Sequence, residues 1–311
     1  MLKDTLKLSF ANASNIWKLL LYRFLCLLCV LGLTTVIAWP IINVLIKENF
    51  FVNLQNSFES MLFSLNFEKL FLTITDVVKD FTNIISANGL VVQAILCGVF
   101  VLILTSFLET YAKVAINQSV YGYMSSLTKY GFTNGYVLNF GKATLLNLAK
   151  LIISLPLNIL IWVGAYFLAS SLYPSVGVFA IILTFLLLIL IVALKNTVLA
   201  GWTPAIIIQN EPVFKSLRMS ISVVVRKFIK TYASFLVLTV GVFMLNIFAL
   251  AFTAGVGLLV TLPLTTLITI IMGEVMYFEA LGMRYYVDGE HIISPKKLEE
   301  RDSFSKVKDI I

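Results

Sequence analysis

Glu274, Glu279 and Glu109 each lie in or beside a long apolar run of this sequence. An ionisable group in such a run is costly and is by default a functional candidate. Glu274 is the sharpest of the three, because counting inward from Pro263 at 1.5 Å per residue places it about 16 Å deep, near a bilayer midplane. A carboxylate there could relay a proton or cation or bind a ligand, helped by Asn158 and Asn246 on neighbouring runs. The alternative is a protonated or hydrogen-bonded carboxyl that joins helices, since buried acids neutralise when unpaired. Glu279 and Glu109 fall nearer the ends of their runs, where a charge reaches the headgroups. Lys150 and Lys195 sit at comparable depth and either pair with them or snorkel.

Enzyme signatures are sparse. The sequence holds no H-E-x-x-H, no G-x-x-x-x-G-K-[ST] and no G-x-S-x-G. Its single histidine, His291, stands beside Asp288 and Glu290 near the C-terminal end, where a solvated role is expected. Cys26 and Cys29 form a C-x-x-C, but with Cys97 they fall inside apolar runs, and metal sites normally need four ligands. The expectation is inert packing for all three, with no catalytic residue, no cofactor and no metal.

The elements that must carry these groups follow from composition. Of 311 residues, 59% are hydrophobic and only 13% charged, whereas a soluble domain carries roughly a quarter charged residues. Apolar runs at about 19–46, 90–108, 151–168, 176–194, 232–252 and 263–286 each match the ~20 helical residues that cross a hydrocarbon core. Backbone amides in lipid must bond internally, and runs this continuously apolar exclude alternating barrel strands. The fold class is therefore read as all-α, a polytopic transmembrane helical bundle of about six spans with amphipathic interfacial helices. Residues 1–286 form a single membrane domain in this reading, and 287–311 a charged cytoplasmic tail bearing Lys296, Lys297, Arg301, Lys306 and Lys308. No removable signal segment is evident, so the first span is expected to act as the insertion signal.

The net charge of +7 does not point to nucleic acid, because the basic residues flank the spans. Twenty of the 23 Lys and Arg residues fall on one side of the six-span layout. Only Lys47, Lys69 and Lys79 fall on the other, which predicts that the basic side, with both termini, faces the cytoplasm. Localisation in a bacterial cell membrane is expected.

Between the spans the chain is patterned as well. Leu54, Phe58, Met61, Leu62 and Leu65, then Ile74, Val77, Val78, Phe81 and Ile85, follow helical spacing and predict one or two amphipathic helices in the first external loop. Leu2, Leu6, Phe10, Ala13 and Trp17 share one face of an interfacial helix before the first span. Over 213–230 the residues Val213, Phe214, Leu217, Ile221, Val224, Val225 and Phe228 fall within an arc of about 120°. Opposite them stand Lys215, Arg218, Arg226, Lys227 and Lys230. Such a helix is expected to lie in the headgroup plane, its basic face drawn to anionic lipid at about 1 kcal/mol per charge. The roles open to it are a passive anchor, or lipid sensing and partner docking.

The stretch TPAIIIQNEPVFKSLRMS over 203–220 carries a resemblance. Its Pro204 and Ala205 leave a span, Asn210, Glu211 and Pro212 make a turn, and Lys215 leads a basic amphipathic helix to Ser220. This resembles the cytoplasmic loop of uncharacterised six-span bacterial membrane proteins related to the membrane domain of some glycerophosphodiester phosphodiesterases. The segment 121–140, ending in Asn139 and Phe140 before Gly141, is similar to that group's other cytoplasmic loop. The resemblance implies the six-span layout. It does not imply hydrolysis, because a catalytic domain has no room in this chain. Spans two and four each lead through a basic loop into a further span, a rhyme that an internal duplication would produce.

These readings favour a non-enzymatic membrane-organising, sensing or accessory protein. A small transporter or permease subunit built on Glu274 is the alternative, and a membrane-embedded enzyme the third reading.

Overall fold

The computed structural model describes residues 1–62, 67–253, 255–289 and 291–293, without the side chains of 58, 60–62 and 67–71. Leu65, Glu290 and the basic residues of the expected tail lie outside the described residues. The fold is all-α with one short hairpin. In chain order the helices are α1 (Leu2–Ala11), α2 (Ser14–Lys47), α3 (Phe50–Leu62), α4 (Phe67–Ala87), α5 (Val91–Ser126) and α6 (Phe132–Leu138). They continue as α7 (Phe140–Val176), α8 (Val178–Leu199), α9 (Trp202–Ile208), α10 (Val213–Arg226), α11 (Phe228–Thr253) and α12 (Leu258–Leu281). Strands β1 (Tyr285–Tyr286) and β2 (Ile292–Ile293) pair antiparallel after them.

Six helices are long and apolar enough to cross a membrane: α2, α5, α7, α8 continued by α9, α11 and α12. Most run past the apolar core of the expected spans. α5 covers 36 residues and α7 covers 37, so each extends well beyond the ~20 residues that lipid requires. α12 stands apart, since 50% of its most apolar stretch is buried by protein against 6% in α2, α5 and α7. The latter three offer their side chains to lipid, whereas α12 is wrapped by the rest of its unit.

The chain divides into two compact units. One comprises Phe24–Ser106 and Phe167–Leu183. Its core joins Ala38, Ile41 and Leu45 of α2 to Phe50, Ile85 and Cys97, with the Phe50 ring against Phe51 and Phe81. The helices expected in the first external loop are α3 and α4, which pack on each other.

The other unit comprises Met1–Arg23, Phe107–Tyr166 and Thr184–Ile311. α12 lies at its centre, in contact with α1, α9, α10 and α11. Leu267, Ile271, Val275 and Phe278 of α12 share a core with Leu8 of α1, Leu19 of α2 and Ile116 and Val120 of α5. Hydroxyl and amide pairs fix the register of α7 on α5: Thr110 Oγ1 donates to Asn147 Oδ1 at 3.1 Å, and the Tyr111 and Thr144 hydroxyls meet at 2.6 Å.

Candidate functional site

The basic amphipathic segment is held on a platform that its sequence pattern did not announce. α8 ends at Leu199, and the chain turns at Ala200 and Gly201 into α9. Gly273 of α12 faces this turn so closely that a Cβ there would stand 2.8 Å from the Ala200 carbonyl oxygen. Gly201 meets α10 and α12 in the same way, its absent Cβ falling 2.9 Å from Ser220 Oγ and 3.1 Å from the Tyr277 ring. Trp202 donates its indole N–H to the Val213 carbonyl at 2.9 Å, and Ser220 donates to Val198 O at 3.1 Å. Asn210 takes the left-handed conformation at φ 55°, which turns α9 into α10. This is the Asn-Glu-Pro turn singled out in the sequence.

α10 consequently has three faces. Val213, Ser216, Ser220, Val223 and Val224 are buried against the platform. Phe214, Ile221 and Val225 form an adjoining exposed apolar stripe, with Phe214 68% accessible. Lys215, Arg218 and Arg226 occupy the third side, and because the helix ends at Arg226, Lys227, Phe228 and Lys230 of the expected 213–230 segment lie beyond it, Phe228 and Lys230 on α11. The sequence placed Val213 and Val224 on the lipid face, and the structure buries both in protein. The periodicity of apolar residues cannot separate two neighbouring apolar faces, and serines, which allow close approach, mark the docked one. α1 repeats the arrangement in part: Thr5, Leu8 and Ser9 are buried, while of the expected interfacial stripe Leu6 and Phe10 stay exposed with Trp17, which lies on α2, and Leu2 and Ala13 are half-buried.

Of the five basic residues, three are engaged. Lys215 pairs with Glu211 at 2.9 Å, Lys230 with Glu279 at 3.1 Å, and Lys227 Nζ donates to the Glu279 carbonyl at 3.3 Å. Arg218 and Arg226 are exposed and have no ion-pair partner among the described residues. Glu279 also receives the Met1 amine at 3.2 Å, and that amine pairs with Asp4 at the same distance. Nearby, burial pushes the Tyr285 phenol well above its ordinary range, with the Asp4 and Glu279 carboxylates adding to the shift.

Glu274 is 0% exposed, and neither carboxyl oxygen has a hydrogen-bond partner among the described residues. The Tyr277 hydroxyl, one turn on, is likewise without one. The expected helpers do not meet it. Asn158 Oδ1 accepts from Lys195, and Asn246 Oδ1 accepts from Thr261 at 2.8 Å. Arg23 bonds both Glu109 and Thr266 and so marks one level on α2, α5 and α12. Glu274 lies eight residues past Thr266, about 12 Å further toward the contact with α1. Residues 270–278 of α12 are all buried, so Glu274 stands inside protein rather than midway along a lipid-facing run. Among the described residues the carboxyl makes no hydrogen-bonded helix joint.

Glu109 accepts from Arg23 and from Lys113, each at 3.2 Å. Arg23 and Lys113 were not singled out in the sequence, although the i, i+4 spacing of Glu109 and Lys113 is a legible signal. His291 Nδ1 lies 2.7 Å from Asp288, both exposed. No disulfide joins the three cysteines. Among the described residues no group of three or more His, Cys, Asp and Glu is arranged to hold a metal.

Comparison with known proteins adds no relative: no family model, no curated protein and no solved structure matches this chain. The chain is a polytopic membrane-helical protein on its own evidence, six long apolar helices in an all-α fold.

Proposed function

We propose that this chain is a non-enzymatic organising or accessory protein of a bacterial cell membrane, with both termini in the cytoplasm, that engages anionic headgroups through α10. The observation that carries the reading is the unfilled side of α10. Its serine face is docked, yet Phe214, Ile221 and Val225 remain exposed beside Arg218 and Arg226, which have no ion-pair partner among the described residues. An apolar stripe flanked by free guanidinium groups matches the boundary between acyl chains and phosphate, with basic residues on the headgroup side. α1, with Phe10 81% accessible, presents a second stripe of the same kind. The six-span resemblance noted in the sequence fits this reading as layout alone.

Two measurements test it. In intact cells, an impermeant thiol reagent should leave Ile221→Cys unlabelled in a background without native cysteines, and should label it once the membrane is opened. In nanodiscs, hydrogen exchange in α10 should slow as anionic lipid replaces zwitterionic lipid, and Arg218→Gln with Arg226→Gln should remove that dependence. Labelling from outside, or exchange indifferent to lipid charge, would sink the proposal.

Glu274 supports a second reading, a transporter subunit that uses this carboxyl. A buried acid without a donor costs stability, and such costs concentrate at working sites. Against it, Asn158 and Asn246 bond elsewhere. If Glu274→Gln abolishes a cellular phenotype while the purified protein keeps its thermal stability, transport becomes the better account.

A further inference from the structure

The span built from α8 and α9 is broken beside the enclosed acid of α12. α8 runs 22 residues to Leu199, and α9 begins at Trp202. The carbonyl of Ala200, inside the break, loses its ordinary helical donor, because the residue four places on is Pro204, which has no N–H. No backbone hydrogen bond ends on that carbonyl among the described residues. Its oxygen lies against α12 instead, where a Cβ on Gly273 would stand 2.8 Å away. The Tyr277 ring covers Gly201, 3.1 Å from the position of its missing Cβ. The stretch of α12 from Gly273 to Tyr277 therefore packs on the break, and Glu274 belongs to that stretch.

Three groups with oxygens in want of a partner meet at this level. Glu274 is 0% exposed and both its carboxyl oxygens lack a hydrogen bond among the described residues. Tyr277 is 0% exposed, its hydroxyl lacks one as well, and its i, i+3 spacing puts it on the same side of α12. The Ala200 carbonyl is the third. The C-terminal end of α8 adds partial negative charge where the helix stops. Oxygens enclosed in this way are costly until something positive or donating reaches them. A proton supplies a single donor, whereas a cation answers several oxygens together. A broken membrane helix whose freed carbonyl and negative end lie beside a buried acid suits a sodium-like ion. One carboxylate balances one positive charge, and a donor set made only of oxygen favours a hard ion over a transition metal.

We infer that Glu274, the Tyr277 hydroxyl and the Ala200 carbonyl form a binding site for a monovalent alkali cation at the break between α8 and α9. The site rests on the transporter reading only in treating Glu274 as a working acid, and it requires no transport.

The test uses the full chain in a neutral maltoside detergent, with choline chloride holding the ionic strength constant, titrated separately with radiolabelled sodium and rubidium. Saturable binding of at least one ion is expected, with a melting temperature that rises along the same curve. Glu274→Gln, which keeps the size and removes the charge, should abolish both. Tyr277→Phe should weaken binding about tenfold, equivalent to about 1.4 kcal/mol. Pro204→Ala restores an N–H four residues after Ala200, and should weaken binding without lowering the melting temperature measured in choline alone. A merely structural proline would show no such split. Asp76→Asn, which removes an acid from the other unit, should bind as the parent does. If neither ion saturates on folded protein, if Glu274→Gln binds as tightly as the parent, or if Tyr277→Phe and Pro204→Ala are both without effect, the inference is overturned. Loss of a cellular phenotype in Glu274→Gln without ion binding would reject the site and keep the transporter reading. Ion binding with a normal phenotype would keep the site and reject that reading.

Discussion

Two basic regions share one compact unit and differ in what surrounds them. On α10, Arg218 and Arg226 are exposed and have no ion-pair partner among the described residues, beside an apolar stripe that is equally exposed. Around Glu109, Arg23 of α2 and Lys113 of α5 meet a single acid, and Arg23 also holds the Thr266 hydroxyl of α12. Water or headgroups can solvate the first set, so its charges are cheap to keep and act outward. The second set is partly sheltered, and its charges act on one another. Residue type is the same in both, and the dielectric setting assigns the role.

The contrast can be broken at the platform first. Gly273→Val drives a side chain into the Ala200 carbonyl, 2.8 Å from the position of its Cβ. A cost of about 3 kcal/mol is expected, near the upper end for overpacking, seen as a lower melting temperature and faster exchange throughout α9 and α10. Next, Glu109→Leu leaves Arg23 and Lys113 without their acceptor. A loss of about 2 kcal/mol is expected, within the range for hydrogen bonds to charged groups, measured by thermal unfolding in detergent. If stability is untouched, the pairs around Glu109 are no more than surface contacts.

Glu274→Met runs the other way. Both oxygens of this carboxyl lack partners among the described residues, and replacing an unsatisfied buried polar group by an apolar one of similar size should stabilise by about 1–2 kcal/mol. Stabilisation together with a lost phenotype would mark the acid as retained for its activity. A destabilised variant would show that the carboxyl has a partner in the membrane after all.

Smaller effects separate the two regions by their response to salt. Arg218→Gln and Arg226→Gln should each weaken the attraction of α10 to anionic lipid by about 1 kcal/mol. That attraction should fade as ionic strength rises, while the stabilisation from the Arg23 and Lys113 pairs with Glu109 changes less, because partly buried charges are screened less. Lys215→Gln should cost under about 0.5 kcal/mol, as expected for an exposed i, i+4 pair with Glu211.

Much of the frame was readable before any coordinates. Each of the six apolar runs falls mainly on one of the long helices, although the sixth, 263–286, runs past the end of α12 at Leu281 into β1, and the loop between the first two spans carries α3 and α4 as its spacing suggested. The sequence puts Glu109, Lys150 and Lys195 at comparable depth, and the i, i+4 spacing of Glu109 and Lys113 is legible, but the pairing of Glu109 with Arg23 is not. That pairing depends on how α2 and α5 rotate about their axes, and rotation in lipid is set by packing rather than by apolar content, which is nearly uniform around such helices.

The amino-acid order by itself determined that these segments are helical, that six of them are long enough to cross lipid, and which stretches are amphipathic. Local periodicity and the need to satisfy the backbone are enough for that. Only the tertiary structure decided which face of α1 and α10 is docked, that α12 is the sheltered helix, and that Glu274 is enclosed without a hydrogen-bond partner among the described residues. Those outcomes turn on contacts between residues far apart in the chain, such as Gly273 against Ala200 and Trp202 against Val213. No local pattern encodes them.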